Sequence, residues 1–223
     1  FSLLGVMADG GMAEYIKVPA NKLIELPSGL DVAIASLVEP LAVAVHGVDR
    51  AHVREADRVL IIGAGPIGLA IGAVLRGRGI AYDITARYPH QQQAAERLGG
   101  KLRADGHYDV VMDAIGSAAS LKQSTTRVKP MGRIGLVGMF WEPTKLEQAF
   151  WAKEAVLIPA AGYYCKSPSR SFDEARTLLH QYPDIAQALI THRYPLEGVT
   201  EAFHTAGTRA AGAIKVVFDI GKR

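Results

Sequence analysis

The residues with the clearest capacity for chemistry are three glycines, Gly63, Gly65 and Gly68, set in the run RVLIIGAGPIGLA over residues 58–70. Four apolar residues, Val59 to Ile62, precede them and predict a parallel strand buried on both faces. A helix over Ile67 to Arg76 is expected to follow. In such a unit the first glycine permits the tight turn, the second lets the backbone approach a pyrophosphate, and the third lets helix and strand pack closely. Pro66 falls near the first helical position, where its missing N–H costs little. The Ile67 N–H is then left as a donor to phosphate at the positive helix end. The spacing points to a dinucleotide, with a purely structural glycine turn as the plainer reading.

Gly79 ends that helix, and Ala81 to Ala86 predict the next strand. A coenzyme without a 2′-phosphate meets an acidic residue about twenty positions after the glycines. This neighbourhood holds Arg87 instead, and Asp83 comes too early, inside the strand. Arg87 offers a guanidinium fork for phosphate and Tyr88 an aromatic face for adenine, which favours NADP(H), with NAD(H) as the alternative. A solvated surface arginine is the bland role for Arg87. Ligands of such sheets lie outside the carboxyl ends of the strands. Gly116 and the turn Gly138 to Phe140 should therefore flank the nicotinamide, with Phe140 and Trp141 as candidate lining or as ordinary loop aromatics.

The elements that must hold these residues can be read in order. Ala13 to Val18 and Lys22 to Leu26 alternate as short strands, separated from earlier residues by the turn signal Asp9-Gly10-Gly11. Asp31 can cap a helix over Val32 to Leu37, and a second helix, Pro40 to Asp49, carries the stripe Leu41, Val45, Val48. After a helix over Gln91 to Leu98, only about ten residues precede the strand Tyr108 to Asp113. Extended at about 3.3 Å each they span roughly 33 Å, enough to cross directly. The third strand is therefore expected to be lost, or vestigial at Lys101 to Arg103. A helix from Ser117 to Val128, strands Gly132 to Gly138 and Ala155 to Ala160, a helix from Ser171 to His180 and a strand Ala213 to Phe218 complete the reading. The fold class is α/β, a Rossmann-type doubly wound parallel sheet.

Composition narrows the function. The 223 residues are 49% hydrophobic and 21% charged, with a net charge of +3. That charge is too mild, and too little interleaved with aromatics, to imply a nucleic-acid partner. No apolar run of membrane-spanning length stands out, so no membrane partner is expected. The single cysteine, Cys165, rules out an internal disulfide and a four-cysteine zinc lobe, which fits a reducing, cytoplasmic setting.

The runs DGGMAEYIKVP and SLVEPLAVAVHG, the GAGPIG turn and the ending ITHRYPLEGVTEAFHTAGTRAAGAIKVVFD together resemble the zinc-dependent medium-chain dehydrogenases, nearest the polyol and threonine dehydrogenase branch. TARYPHQ is similar to strand ends in the NADP-dependent members. The resemblance implies a Rossmann domain over residues 41–164 and part of a GroES-like catalytic domain over residues 1–40 and 165–223. It implies hydride transfer between NADP(H) and a secondary alcohol, polyol or ketone, and assembly as a homodimer or homotetramer. By the same resemblance Glu39 is the catalytic and metal residue, lying at a Zn2+ directly or through water, and Lys215 lies near the coenzyme pyrophosphate. Glu39 at a helix start is also simply favoured by the dipole, and Lys215 on an alternating strand is as readily solvent-facing. His46 shares a helix face with Glu39, but seven residues at about 1.5 Å rise put it roughly 10 Å away, so it is expected to pack. His180, His192 and His204 lack metal-ligand spacing. The resemblance would place a zinc-binding Cys and a His-Glu pair before Phe1, and zinc needs about three protein ligands. The chain alone is therefore expected to be inactive. A non-catalytic NADP(H)-binding module and a zinc-free reductase resembling quinone reductases are the alternatives.

Overall fold

A computed structural model describes residues 4–163 and 168–220; Cys165 and the proposed boundary beside it fall outside them. Asp31 caps a short 3-10 helix, Val32–Leu37, by accepting from the Ala33 N–H at 2.9 Å. This helix runs directly into α1 (Val38–Arg50). Then come β1 (Val59–Ile62), α2 (Pro66–Gly77), β2 (Tyr82–Thr85), α3 (Pro89–Arg97), β3 (Tyr108–Asp113), α4 (Ala118–Arg127), β4 (Val128–Leu136), α5 (Gln148–Ala152) and β5 (Val156–Pro159). The chain ends with α6 (Pro168–Gln181), α7 (Asp184–Leu189), β6 (Ile190–Pro195), α8 (Val199–Gly207) and β7 (Lys215–Asp219).

Strands β1 to β5 form one parallel sheet in the order β2-β1-β3-β4-β5. The expected third strand survives as a single parallel bridge, Lys101 beside Asp83 on the outer edge of β2. There the Ile84 N–H donates to Lys101 O at 2.9 Å and the Lys101 N–H to Tyr82 O at 3.2 Å. Asp83 lies inside β2, 4% exposed. Its carboxylate accepts from the Tyr108 hydroxyl at 2.8 Å and from Arg103 Nε at 2.9 Å, with Arg58 at 3.5 Å.

Two buried clusters sandwich the sheet. Val59, Ile61, Val110 and Met112 belong to one with α1, α2, α3, α6 and α7, whose contributions include Leu41, Val45, Leu69, Ala95, Leu179 and Leu189. Leu60, Ile62, Val111 and Ile134 belong to the other, against which Phe150 of α5 packs. Val32–Arg50 is a continuous 19-residue helical stretch long and apolar enough to cross a membrane by length and composition. That corrects the reading that no run reaches such a length. Its apolar residues Leu37, Leu41, Val45 and Val48 are spent in the sandwich core.

The strands expected at Ala13 to Val18 and Lys22 to Leu26 do not form; a 3-10 turn, Ala20–Lys22, stands between them. Alternation alone cannot make a strand without a partner edge, and neither segment has one among the described residues. The strand expected over Gly132 to Gly138 begins at Val128 instead, so α4 stops at Arg127 and Gly138 lies in the turn beyond β4. Near the C-terminus, β6 and β7 pair in parallel as a separate two-stranded sheet.

Candidate functional site

The glycine turn is built as its spacing requires. Gly63 has φ 98°, a left-handed conformation that favours glycine, and its N–H donates to Thr85 Oγ1 at 3.0 Å, tying the turn to the end of β2. A Cβ at Gly68 would lie 1.8 Å from Gly63 O, so only glycine lets α2 seat against β1. A Cβ at Gly65, by contrast, would meet nothing within 4 Å. Gly65 precedes α2, with Pro66 first in the helix and Ile67 second. The N–H groups of that first turn have no intrahelical acceptor and face the site with the positive end of the dipole.

Arg87 and Tyr88 follow Thr85 by two and three residues, placing them at the carboxyl end of β2 beside the glycine turn. The Arg87 guanidinium is exposed and sits 5.4 Å from the Tyr88 ring centroid. Tyr88 stacks on His90 at 5.6 Å. Gln91 Oε1 accepts from both the Arg87 and Tyr88 N–H groups, at 3.3 and 3.4 Å.

On the other side of β1, the turns after β3 and β4 press together. Gly116 has φ 75°. A Cβ on it would fall 2.5 Å from Met139 O, and a Cβ on Gly138 would fall 2.4 Å from Gly116 N. Asp113, fully buried, organises both turns. Its Oδ1 accepts from Ile115 N–H at 2.9 Å and Gly116 N–H at 3.0 Å. Its main-chain carbonyl accepts from Val137 N–H at 3.0 Å and Gly138 N–H at 2.8 Å. Its Oδ2 is buried with no hydrogen-bond partner. Burial pushes the carboxyl above its usual range, against the pull of the Gly116 and Ile115 amides and Ser120. Sequence reasoning did not single out Asp113; an aspartate ending the apolar run YDVVMD is the signal that could have found it. Of the two aromatics nearby, Phe140 is half-buried and Trp141 is 82% exposed.

Glu39 reaches the same edge by the course of α1. Ala51 lies beside Gly135 and Gly47 beside Val137, so α1 runs antiparallel to β4 and its N-terminus overshoots the carboxyl end of the sheet. Eight residues from Gly47 back to Glu39 add roughly 12 Å. The Glu39 side chain keeps contact with solvent, yet the protein around it raises its pKa, and the charge of Lys215 pulls it partly back. Glu39 and Lys215, 176 positions apart in sequence, thus share one electrostatic neighbourhood. His46 is 5% exposed inside the core, where burial first and Arg50 second hold its pKa below the usual histidine value. His180 and His204 are exposed and His192 is half-buried.

Among the described residues, no group of three or more His, Cys, Asp or Glu side chains could hold a metal ion. The donor set among the described residues does not fit a zinc centre.

Residues 32–220 match the family model described as glucose dehydrogenase C-terminus. The chain belongs to that family. Its relatives bear out the medium-chain dehydrogenase lineage: it is 26% identical over 219 residues to L-galactonate-5-dehydrogenase of Escherichia coli K12, covering 91% of this chain and 63% of that protein. Among solved structures, rspB of E. coli CFT073, complexed with NADH, superposes with a TM-score of 0.84 at 26% identity, covering 96% of this chain and 67% of that one. A Sinorhizobium meliloti 1021 protein bound to NADP gives a TM-score of 0.82 at 26% identity, covering 97% and 68%. The chain spans just under two thirds of the length of the curated relatives it matches. NAD(P)H and zinc both occur in this family of dehydrogenases.

Proposed function

We propose that the chain is the coenzyme-binding body of an alcohol or polyol dehydrogenase that transfers hydride between NADP(H) and a secondary alcohol and its ketone. The observation that carries the reading is the open approach at Gly65, at the N-terminus of α2, with Thr85 linking that turn to Arg87. In this reading Gly63, Gly65, Ile67 and Gly68 receive the pyrophosphate, and Arg87 and Tyr88 take the adenosine 2′-phosphate and ring. Gly116 and Gly138 bound the nicotinamide, and Lys215 adds positive charge along the same edge. When bound, NADP(H) supplies the hydride donor or acceptor. Relatives such as L-galactonate-5-dehydrogenase and sorbitol dehydrogenase support an alcohol or polyol as the substrate class.

Glu39 supplies one carboxylate where a catalytic metal needs about three protein ligands, so in this reading the chain is inactive by itself. A second reading, a dinucleotide-binding module with no chemistry of its own, draws on the same single carboxylate; the zinc content of the longest natural form separates the two. Because α6 and α7 bury Leu179, Ile185 and Leu189 in the core of α1 and α2, we also place the end of the Rossmann body near Leu189 rather than at residue 164. A cytoplasmic setting and assembly through the open edge at β5 belong to the same proposal.

Calorimetric titration with NADPH and NADH tests it. Wild type is expected to bind NADPH tightly and NADH weakly. Arg87→Ala should weaken NADPH by about tenfold to a hundredfold, the range for lost hydrogen bonds to a charged group, and leave NADH unchanged. A preference for NADH in the wild type would remove Arg87 from the site, and binding of neither would sink the dinucleotide reading.

A further inference from the structure

The coenzyme reading leaves one buried group without a task. Asp113 lies on the far side of β1 from Arg87 in the order β2-β1-β3-β4-β5. With the pyrophosphate at the β1 turn and the adenosine end at β2, the other end of a dinucleotide extends over β3 and β4. Those are the strands whose exit turns meet at Asp113. The contact is tight: Gly116 and Gly138 touch backbone to backbone, with no room for a Cβ on either. Four main-chain N–H groups, two from each turn, converge on oxygens of this one residue. A fully buried carboxyl with one orphan oxygen is costly, and an apolar residue would fill the strand end without that cost. What an apolar residue lacks is an acceptor reaching the Ile115 and Gly116 N–H groups at once.

We propose that Asp113 is the positioning residue of the nicotinamide end: through Oδ1 and its main-chain carbonyl it locks the Gly116 and Gly138 turns into the surface on which the ring lies. The inference rests on the coenzyme reading above. It divides the site into two halves with separate determinants. The adenosine half depends on Thr85, Arg87 and the glycine turn, and the nicotinamide half depends on Asp113.

The test compares two probes on wild type and variants: 2′,5′-ADP, which occupies only the adenosine half, and NADPH, whose ring fluorescence at saturation reports the nicotinamide surroundings. Asp113→Ala is expected to bind 2′,5′-ADP within about twofold of wild type, to bind NADPH about tenfold more weakly, and to lose the enhanced emission of the bound ring. Asp113→Asn, which keeps an acceptor at Oδ1, should restore both NADPH readouts. Should Asp113→Ala fail to fold, Asp113→Ser, a weaker acceptor for the same turn, is expected to give a several-fold loss confined to NADPH. Wild-type NADPH behaviour in the alanine variant, or in the serine variant standing in for it, would overturn the assignment. So would an equal loss of 2′,5′-ADP, or an asparagine variant no better than alanine. A wild-type protein that binds neither probe would refute the coenzyme reading itself, and this inference with it.

Discussion

Two added methyl groups three positions apart, at Gly65 and Gly68, should have opposite effects. At Gly65 the backbone is extended, φ −79° and ψ −175°, a conformation any residue adopts, and an added Cβ meets nothing within 4 Å. Alanine there forfeits a few tenths to about 1 kcal/mol as a poorer N-cap than glycine. It regains about 0.4–1 kcal/mol by restricting the unfolded chain, so Gly65→Ala should melt within a degree or two of wild type. The methyl group nonetheless occupies the approach through which a pyrophosphate must reach the Ile67 amide, so binding of NADPH should fall at least about a hundredfold. At Gly68 the added Cβ would stand 1.8 Å from Gly63 O and 2.9 Å from Gly63 C, where ordinary contact begins near 3.4 Å. The obstacle is backbone, not a flexible side chain, so α2 or the turn must yield by about 1.6 Å. Overpacking of this kind costs about 1–3 kcal/mol, which for a chain of this size lowers Tm by about 2–12 °C. Differential scanning fluorimetry with and without NADPH separates the two variants. Gly65→Ala binding NADPH like wild type would refute the pyrophosphate site, and Gly68→Ala melting like wild type would refute the close approach.

Other outcomes follow from the packing. Asp83→Ala leaves the buried Tyr108 hydroxyl without its acceptor and Arg103 without its carboxylate. It should cost about 1–3 kcal/mol by urea denaturation, the arginines being free to rehydrate. Leu179→Ala, at a site with no solvent exposure in the cluster shared by α1, α2 and α6, should cost about 2–5 kcal/mol in a single cooperative transition. A separate early transition would show instead that α6 lies outside the Rossmann body. Arg76 grips Asp184 through two hydrogen bonds of 2.7 and 2.9 Å, and this holds the Asp184 carboxyl below its ordinary value of 3.8. A depressed folded-state pKa contributes stability that is present above the ordinary value and lost as pH falls through the folded one. The melting temperature of Asp184→Asn should therefore fall less steeply than that of wild type below pH 4, with the gap between the two proteins narrowing as acid is added.

What was legible in the chain was what local chemistry dictates. The glycine turn, the Asp31 cap and the abrupt step from helix to Tyr108 each follow from a few neighbouring residues, and the shortened crossover reduced to Lys101 follows from counting. What was not legible depended on partners distant in sequence. Ala13 to Val18 has the alternation of a strand but no edge to join among the described residues, and alternation carries no information about edges. β6 went unread because ITHRYP, with two basic residues and a terminal proline, acquires its strand identity only from β7. Asp113 was passed over for a related reason: its role lies in the meeting of two turns more than twenty residues apart, and only the folded sheet brings them together. Glu39 and Lys215 illustrate the limit most sharply. Their roles came from resemblance, and their shared electrostatic neighbourhood emerged only from the fold.

The lone bridge at Lys101 also bears on how this molecule keeps to itself. With the third strand reduced to one residue, β2 is in effect the rim of a parallel sheet, and an open rim is a template on which a stranger's strand can grow. The chain guards it with charge. Lys101 and Arg103 stand along the rim, and Asp83, already buried within the rim strand, anchors Arg103 there through a 2.9 Å hydrogen bond. The acid that looked misplaced for reading a ribose serves here to hold a guarding charge at the rim.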